Sequence, residues 1–184
     1  ETVTLPIEQM HSAFERTISD SCLEAKGLAE EKEQASIRGL LLMARANQNG
    51  GLLLSTGNKS ELAVGYSTLY GDMCGAVSVI GDIYKTDVWS MATWMNNHFE
   101  TCGFELAPIP KSSIMKPPSA ELRPGQVDPF DYDVVSPLVT AMIEDEKSPT
   151  ELIEGGADPE LVKDISRRIR INEYKRRQAA PGLR

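Results

Sequence analysis

Histidine and cysteine are scarce in this chain: its 184 residues hold two of the first and three of the second. His11 and His98 match no motif, and nothing resembles a Ser-His-Asp or Cys-His constellation. Cys22, Cys74 and Cys102 are odd in number and lack both C-x-x-C and His-paired zinc spacing, which argues for reduced thiols in a cytoplasmic protein over a disulfide framework. Long apolar runs are missing too: none approaches the about 18 residues a membrane span needs. No basic n-region or signal-peptide core opens the chain. Positive charge is in deficit, with 19 Lys and Arg against 27 acids and a net charge of −8, which argues against a general nucleic-acid binder. Seven of the 19 basic residues crowd one stretch, Lys163, Arg167, Arg168, Arg170, Lys175, Arg176 and Arg177. Such a tail is either a solvated helix face or a local site for a polyanionic small ligand. An initiator Met is also lacking, and the opening Glu1-Thr2-Val3-Thr4-Leu5 reads as a strand cut from a longer protein.

What is present centres on Ser55-Thr56-Gly57-Asn58-Lys59-Ser60-Glu61, preceded by the apolar Gly51-Leu52-Leu53-Leu54 and followed by Gly65-Tyr66 and Tyr70-Gly71-Asp72. A buried strand that ends in small polar residues and then opens a helix brings backbone N–H groups and the positive helix end to one point, which favours an anion such as phosphate. Glu61, early in that helix, is placed to hold Mg²⁺ bridged to phosphates.

Periodicity predicts a short strand at Val3-Thr4-Leu5, a helix from Ile7 to Leu23, a second from Leu28 to Ala46, a buried strand at Leu52-Leu53-Leu54, and a helix from Ser60 to Leu69. An extended piece at 76–80 and a helix from Lys85 through Met95 follow, on which Trp89 and Trp94 read as core. Six prolines between Pro108 and Pro129 predict a long irregular segment, and loops of that length are usually functional. Helices resume at Pro137–Asp145, after Ser148-Pro149-Thr150-Glu151, and from Asp158-Pro159-Glu160 to about Asn172. No internal repeat is visible. The expected fold class is α/β with a doubly wound, mainly parallel sheet, incomplete, in three parts: 1–103 α/β, 104–134 a Pro-rich active-site loop, and 135–184 a helical C-terminal segment.

Several stretches resemble the NAD⁺ synthetase family, specifically the synthetase domain of its glutamine-dependent form. They are 55–66, 69–73 and Asp82-Ile83-Tyr84-Lys85, with Lys116-Pro117-Pro118-Ser119-Ala120-Glu121-Leu122-Arg123-Pro124 and Asn172-Glu173-Tyr174-Lys175-Arg176-Arg177-Gln178 further on. Gly27-Leu28-Ala29-Glu30-Glu31 and Ile37-Arg38-Gly39 match earlier, so the resemblance covers nearly the whole chain in the family's order. It implies an adenine nucleotide alpha hydrolase-like sheet and a reaction in which ATP adenylates the nicotinate carboxylate of deamido-NAD⁺ and ammonia then displaces AMP. It further implies that Thr56 contacts the nucleotide, Glu61 ligates Mg²⁺, and Lys85 and Ser119 hold triphosphate oxygens. Asp72 contacts the deamido-dinucleotide, Arg38 borders its site, Tyr174, Lys175 and Arg176 close over the substrates, and Lys85 and Lys175 are the implied catalytic residues. Implied partners are a glutaminase domain upstream, which supplies ammonia, and further copies in a dimer or larger assembly.

Read singly, each residue has a plainer role. Thr56 and Ser60 are helix caps, Glu61 a first-turn acid, Asp72 a turn residue, Lys85 a solvated helix Lys, Ser119 a loop residue, and Lys175 and Arg176 charged tail. There are also departures from the family pattern. Its Ser-Gly-Gly-x-Asp-Ser loop is absent, and Lys32 and Ser36 stand where Asn and Arg are usual. The expectation is a synthetase part that is inactive alone and whose sheet lacks its central strands, leaving apolar faces unpartnered. The alternative is a non-catalytic remnant or partner-binding module that keeps the fold.

Overall fold

The computed structural model describes residues 2–21 and 27–183. Helices dominate: α1 (Glu8–Asp20), α2 (Leu28–Asn49), α3 (Lys59–Val64), α4 (Lys85–Asn97), α5 (Lys111–Met115), α6 (Tyr132–Ile143), α7 (Pro149–Glu154), α8 (Pro159–Ile171) and α9 (Glu173–Arg176). Two short strands, β1 (Leu54–Ser55) and β2 (Val77–Ser78), pair in parallel with Leu54 opposite Val77 and Ser55 opposite Ser78. The C-terminal tail lies along the other side of β2, where the Ser78 amide donates to the Pro181 carbonyl and Gly182 makes a parallel bridge. The sheet is therefore parallel as expected but small, and the core is helical.

Local chemistry explains most element boundaries. Asn58, not Thr56 or Ser60, caps α3, and a reciprocal capping box joins its side chain to the Glu61 amide at 3.1 Å and its amide to the Glu61 carboxylate at 3.2 Å. Gly65 in the left-handed conformation then stops the helix, so it does not reach Leu69 as periodicity suggests. Ser148 and Glu151 form a second capping box with Pro149 in the first turn, and Asp158 caps α8 ahead of Pro159 by accepting the Leu161 amide alone. The α6 helix begins at Tyr132 under an Asp131 cap, with Pro137 inside it and not at its start. The burial of Tyr132, Val135, Leu138 and Val139 on one face outweighs the hydrogen bond that Pro137 omits.

The core packs Ala63 and Val64 of α3 against Val135 and Val139 of α6, Ile165 of α8 and the ring of Tyr84. A satellite of Leu138, Leu152 and Val162 locks α7 beneath it. Polar pins cross this junction: Ser60 Oγ lies 2.8 Å from Ser136 Oγ and accepts the Lys85 amide at 3.0 Å, tying α3 to α6 and to the start of α4.

Three expectations are corrected. Val3-Thr4-Leu5 is not a strand: no segment among the described residues pairs with it, and its side chains are exposed. Leu52-Leu53-Leu54 is not buried, since Leu52 is 74% and Leu54 52% exposed beside a sheet of two strands. Trp94 is 54% exposed and stacks on His98 at 4.6 Å, whereas Trp89 sits edge-on to the buried Tyr132. The helix expected to reach Leu23 ends at Asp20; residues 22–26, with Cys22, lie outside the described residues. Cys74 and Cys102 are free thiols. No helix among the described residues is long and apolar enough to cross a membrane.

The α1 helix touches the body through α2, where Glu33 is buried with both carboxylate oxygens unpartnered and His11 Nε2 is 4.0 Å away. Burial holds the Glu33 carboxyl above its ordinary range, with Glu15 and Glu30 adding repulsion and His11 opposing. A raised carboxyl favours the fold when protonated, and that contribution is lost as pH rises through the raised value. Glu33→Leu is therefore expected to raise the urea midpoint at pH 7, with the gain shrinking as pH falls toward 4.5, the ordinary value; an unchanged gap across that range would refute the assignment. In the core, Ile165→Ala should cost about 2–5 kcal/mol, while Leu52→Ser should stay within about 0.5 kcal/mol in the same urea titration.

Candidate functional site

A cleft of about 810 Å³ opens between α2, the end of β1, the turn after α3, the 119–122 segment and the α8–α9 junction. Thr56 enters it from the end of β1, Arg38 from α2, Asp72 from the turn, Ser119 from the Pro-rich segment and Lys175 from α9. Residues from five separate stretches of sequence thus converge.

The cleft is electrostatically biased. Lys175 is 5% exposed, and its ammonium donates to the Gly65 and Ser67 carbonyls at 2.8 and 2.7 Å. Burial pulls its pKa down, the neighbouring Lys32 adds to that, and Asp72 opposes it. Burial pushes the Asp72 carboxyl up, against the hydrogen bond it accepts from the Thr68 amide at 2.5 Å. Other acids at the rim are already paired: Glu31 with Arg123, and Glu121 with Lys116. Lys32 and Arg38 also line the cleft, and among the described residues no ion-pair partner approaches either. The net bias is cationic and suits an anionic ligand.

The remaining expected residues stand apart from this lining. Glu61 and Lys85 pair with each other at 2.8 Å, each less than a fifth exposed, and Lys85 Nζ sits 5.5 Å from the centre of the Tyr132 ring. Tyr174 is 51% exposed beside the tail. Arg176 turns away from the cleft and gives its guanidinium to the carbonyls of Leu62, Ala63 and Ile169. Ser36 spends its hydroxyl on the Lys32 carbonyl at 2.9 Å, whereas Lys32 itself faces the cleft.

Sequence reading missed Asp128. Its carboxylate is buried, accepts the Tyr132 hydroxyl at 3.1 Å, and leaves Oδ1 without a partner. Burial raises its pKa, the Tyr132 hydrogen bond and the nearby Tyr66 hydroxyl oppose that, and burial first, with the Asp128 charge second, pushes the Tyr66 hydroxyl up to about 12. Asp128 also feels Glu61 and Lys85, so these groups form one electrostatic cluster. Nothing in the local pattern Gln126-Val127-Asp128-Pro129 distinguishes it from a loop acid. Asn58 was more legible, because Asn followed three residues later by Glu is a cap signature.

The NAD synthase family model matches residues 1–179. The chain belongs to the NAD synthase family. A glutamine-dependent NAD(+) synthetase of Synechocystis sp. is 47% identical over 187 residues, which is all of this chain and 32% of that protein. The glutamine-dependent NAD⁺ synthetase of Acinetobacter baumannii, solved in complex with ADP, is 39% identical with a TM-score of 0.55, covering 97% of this chain and 31% of that one. A glutamine-dependent NAD(+) synthetase from Cytophaga hutchinsonii is similar in fold, with a TM-score of 0.74 at 24% identity, covering 98% of this chain and 30% of that one. The chain spans about a third of the length of these relatives, and its helix-rich body with a small parallel sheet fits an incomplete α/β fold.

At the wall of the cleft, Gly65 has φ 72° and a Cβ there would lie 1.9 Å from Asn172 Cγ. Gly65→Ala is expected to cost about 2 kcal/mol or more, from left-handed strain and the displaced Asn172 together. Thermal or urea unfolding checks it, and a loss below about 0.5 kcal/mol would contradict the close approach.

Proposed function

We propose that this chain supplies part of the synthetase site of a glutamine-dependent NAD⁺ synthetase, which amidates deamido-NAD⁺ with ATP and ammonia. The observation that carries the reading is the convergence of Thr56, Arg38, Asp72, Ser119 and Lys175 on one cationic cleft, in a chain of the NAD synthase family. The nicotinate carboxylate oxygen attacks the α-phosphorus of ATP, a P–O bond forms, and pyrophosphate leaves. Ammonia nitrogen then attacks the acyl carbon, the C–O bond to AMP breaks, and a proton is released as the amide forms.

In this reading Thr56 contacts the nucleotide, and Lys85 and Ser119 hold triphosphate oxygens. Arg38, Asp72, Lys175 and the exposed Tyr174 border the deamido-dinucleotide. A desolvated Lys175 held by two carbonyls loses little reorganisation energy when an anionic group arrives, which is the condition for electrostatic stabilisation of a developing charge.

In the same reading Mg²⁺ is taken by hard carboxylate oxygen: Glu61, whose Oε1 now pairs with Lys85 and whose Oε2 accepts the Asn58 amide, and the buried Oδ1 atom of Asp128, a second acceptor that Glu61 influences electrostatically. Glu61 would hold the ion, which when bound neutralises triphosphate charge. The finer fold assignment, a doubly wound sheet of the adenine nucleotide alpha hydrolase type, belongs to the same proposal, as do its three-part division, an upstream glutaminase domain, a dimer or larger assembly, and a cytoplasmic location.

The test is Mg²⁺-dependent NAD⁺ formation from deamido-NAD⁺, ATP and ammonium by the protein extended upstream to its natural start. Turnover is expected, and Glu61→Gln should lower kcat/KM by about 100-fold or more. A folded parent protein that makes no NAD⁺ would sink the reading and favour a partner-binding module.

A further inference from the structure

The C-terminal end of α3 presents carbonyls that its own helix cannot satisfy. Gly65 in the left-handed conformation returns its amide to the Glu61 carbonyl, and the Tyr66 amide goes there too at 2.9 Å, so the carbonyls of residues 62–65 need donors from elsewhere. They come from three side chains on one turn of the tail. The Arg176 guanidinium donates to Ala63 at 3.1 Å and Leu62 at 3.4 Å while its other nitrogen reaches Ile169 at the end of α8. The Asn172 amide donates to Val64 at 3.2 Å and to Arg168 at 3.0 Å. Lys175 takes Gly65 and Ser67. The space for Asn172 exists because residue 65 has no side chain.

The consequence reaches the cleft. Residues 65–72 form one of its walls, carry Asp72, and are tied to the tail again by the Tyr70 hydroxyl on Gln178 at 2.6 Å. Arg176 does not line the cleft, and burial disfavours its charge, so its site is maintained by the carbonyls it serves. Planar, forked donors suit this task, since one guanidinium spans α3 and α8 at once.

We infer that Asn172 and Arg176 are positioning residues: by satisfying the carbonyls of Leu62, Ala63 and Val64 they fix the 65–72 wall and hold the Lys175 ammonium in the cleft where the deamido-dinucleotide binds. The assignment rests on the synthetase reading for the ligand but not for the clamp itself. It gives Arg176 a role behind the cleft wall, where the basic run Lys175-Arg176-Arg177 alone suggests another substrate cation.

The test uses the protein extended upstream to its natural start, with Arg176→Lys and, as a milder change, Asn172→Ala. Arg176→Lys keeps the charge and loses the fork. Both variants should raise KM for deamido-NAD⁺ by about tenfold, because a small misplacement of a binding wall is costly, while KM for ATP and kcat stay within about twofold. Amide hydrogen exchange over residues 65–72 should speed by about tenfold with α6 unchanged. Equal rises in both KM values, or altered unfolding with both KM values intact, would mean a merely structural role and overturn the inference. If the parent makes no NAD⁺, the synthetase reading fails separately, and exchange at 65–72 still decides the clamp: unchanged protection there overturns it.

Discussion

Six residues cannot hold a helix by themselves, yet α3 carries the centre of this molecule. Its survival depends on having every exposed polar end answered. The Asn58–Glu61 box closes its start, the Ser60 hydroxyl in its first turn meets Ser136, and Asn172, Lys175 and Arg176 close its end. Its apolar side, Ala63 and Val64, is nearly solvent-free. An unmet buried carbonyl costs about 1–3 kcal/mol, so a helix with this many carbonyls facing protein forms only when the tail is in place. Ordering of α3, of the cleft wall and of the tail is for this reason a single event.

The same constraint sets the chemistry. Glu61 is at once cap, ion-pair partner of Lys85 and neighbour of Asp128, so its orientation is determined before any ligand arrives. Lys85 is held from two directions, its amide by Ser60 and its ammonium by Glu61 beside the Tyr132 ring. Preorganised charge of this kind is worth more in a desolvated site than in water, because no reorganisation is needed at the moment of reaction. In the cleft, Lys175 and Asp72 are both displaced by burial toward their neutral forms and each restrains the other's displacement, which keeps a cation and an anion available in a confined space.

What could be read from sequence follows this division. Capped helices with local signatures were legible: Ser148-Pro149-Thr150-Glu151 and Asp158-Pro159-Glu160 open α7 and α8 where expected, because the determinants lie within four residues of one another. Thr56, Asp72, Ser119, Lys175 and Arg38 were named in sequence and meet in one cleft, since the family resemblance orders residues that periodicity cannot relate. Illegible were features set by distant partners. Pro137 marks a helix start by local preference, but packing of Tyr132 and Val135 sets the start of α6 at Tyr132, more than a turn earlier. Asp128 reads as a loop acid until the chain from the turn after α3 brings Tyr66 beside it, far from it in sequence. Arg176 reads as surface charge until α3 is placed against it.

The strands fail for a different reason. A ladder of two residues on two residues is too small to be stable alone, and here it is held by the tail at Ser78 and by the close approach of Gly75 to the Ser55 amide. Leu52 and Leu54 beside the sheet, and Leu40 and Leu42 on α2, present apolar side chains to water. Thr56 lies at the junction between the two regimes, one residue beyond β1, while Lys175 and Asp72 belong to the helical side that is already fixed by α3. The cleft therefore has one wall fixed by the core through α3 and one wall beside the exposed edge of a two-stranded sheet.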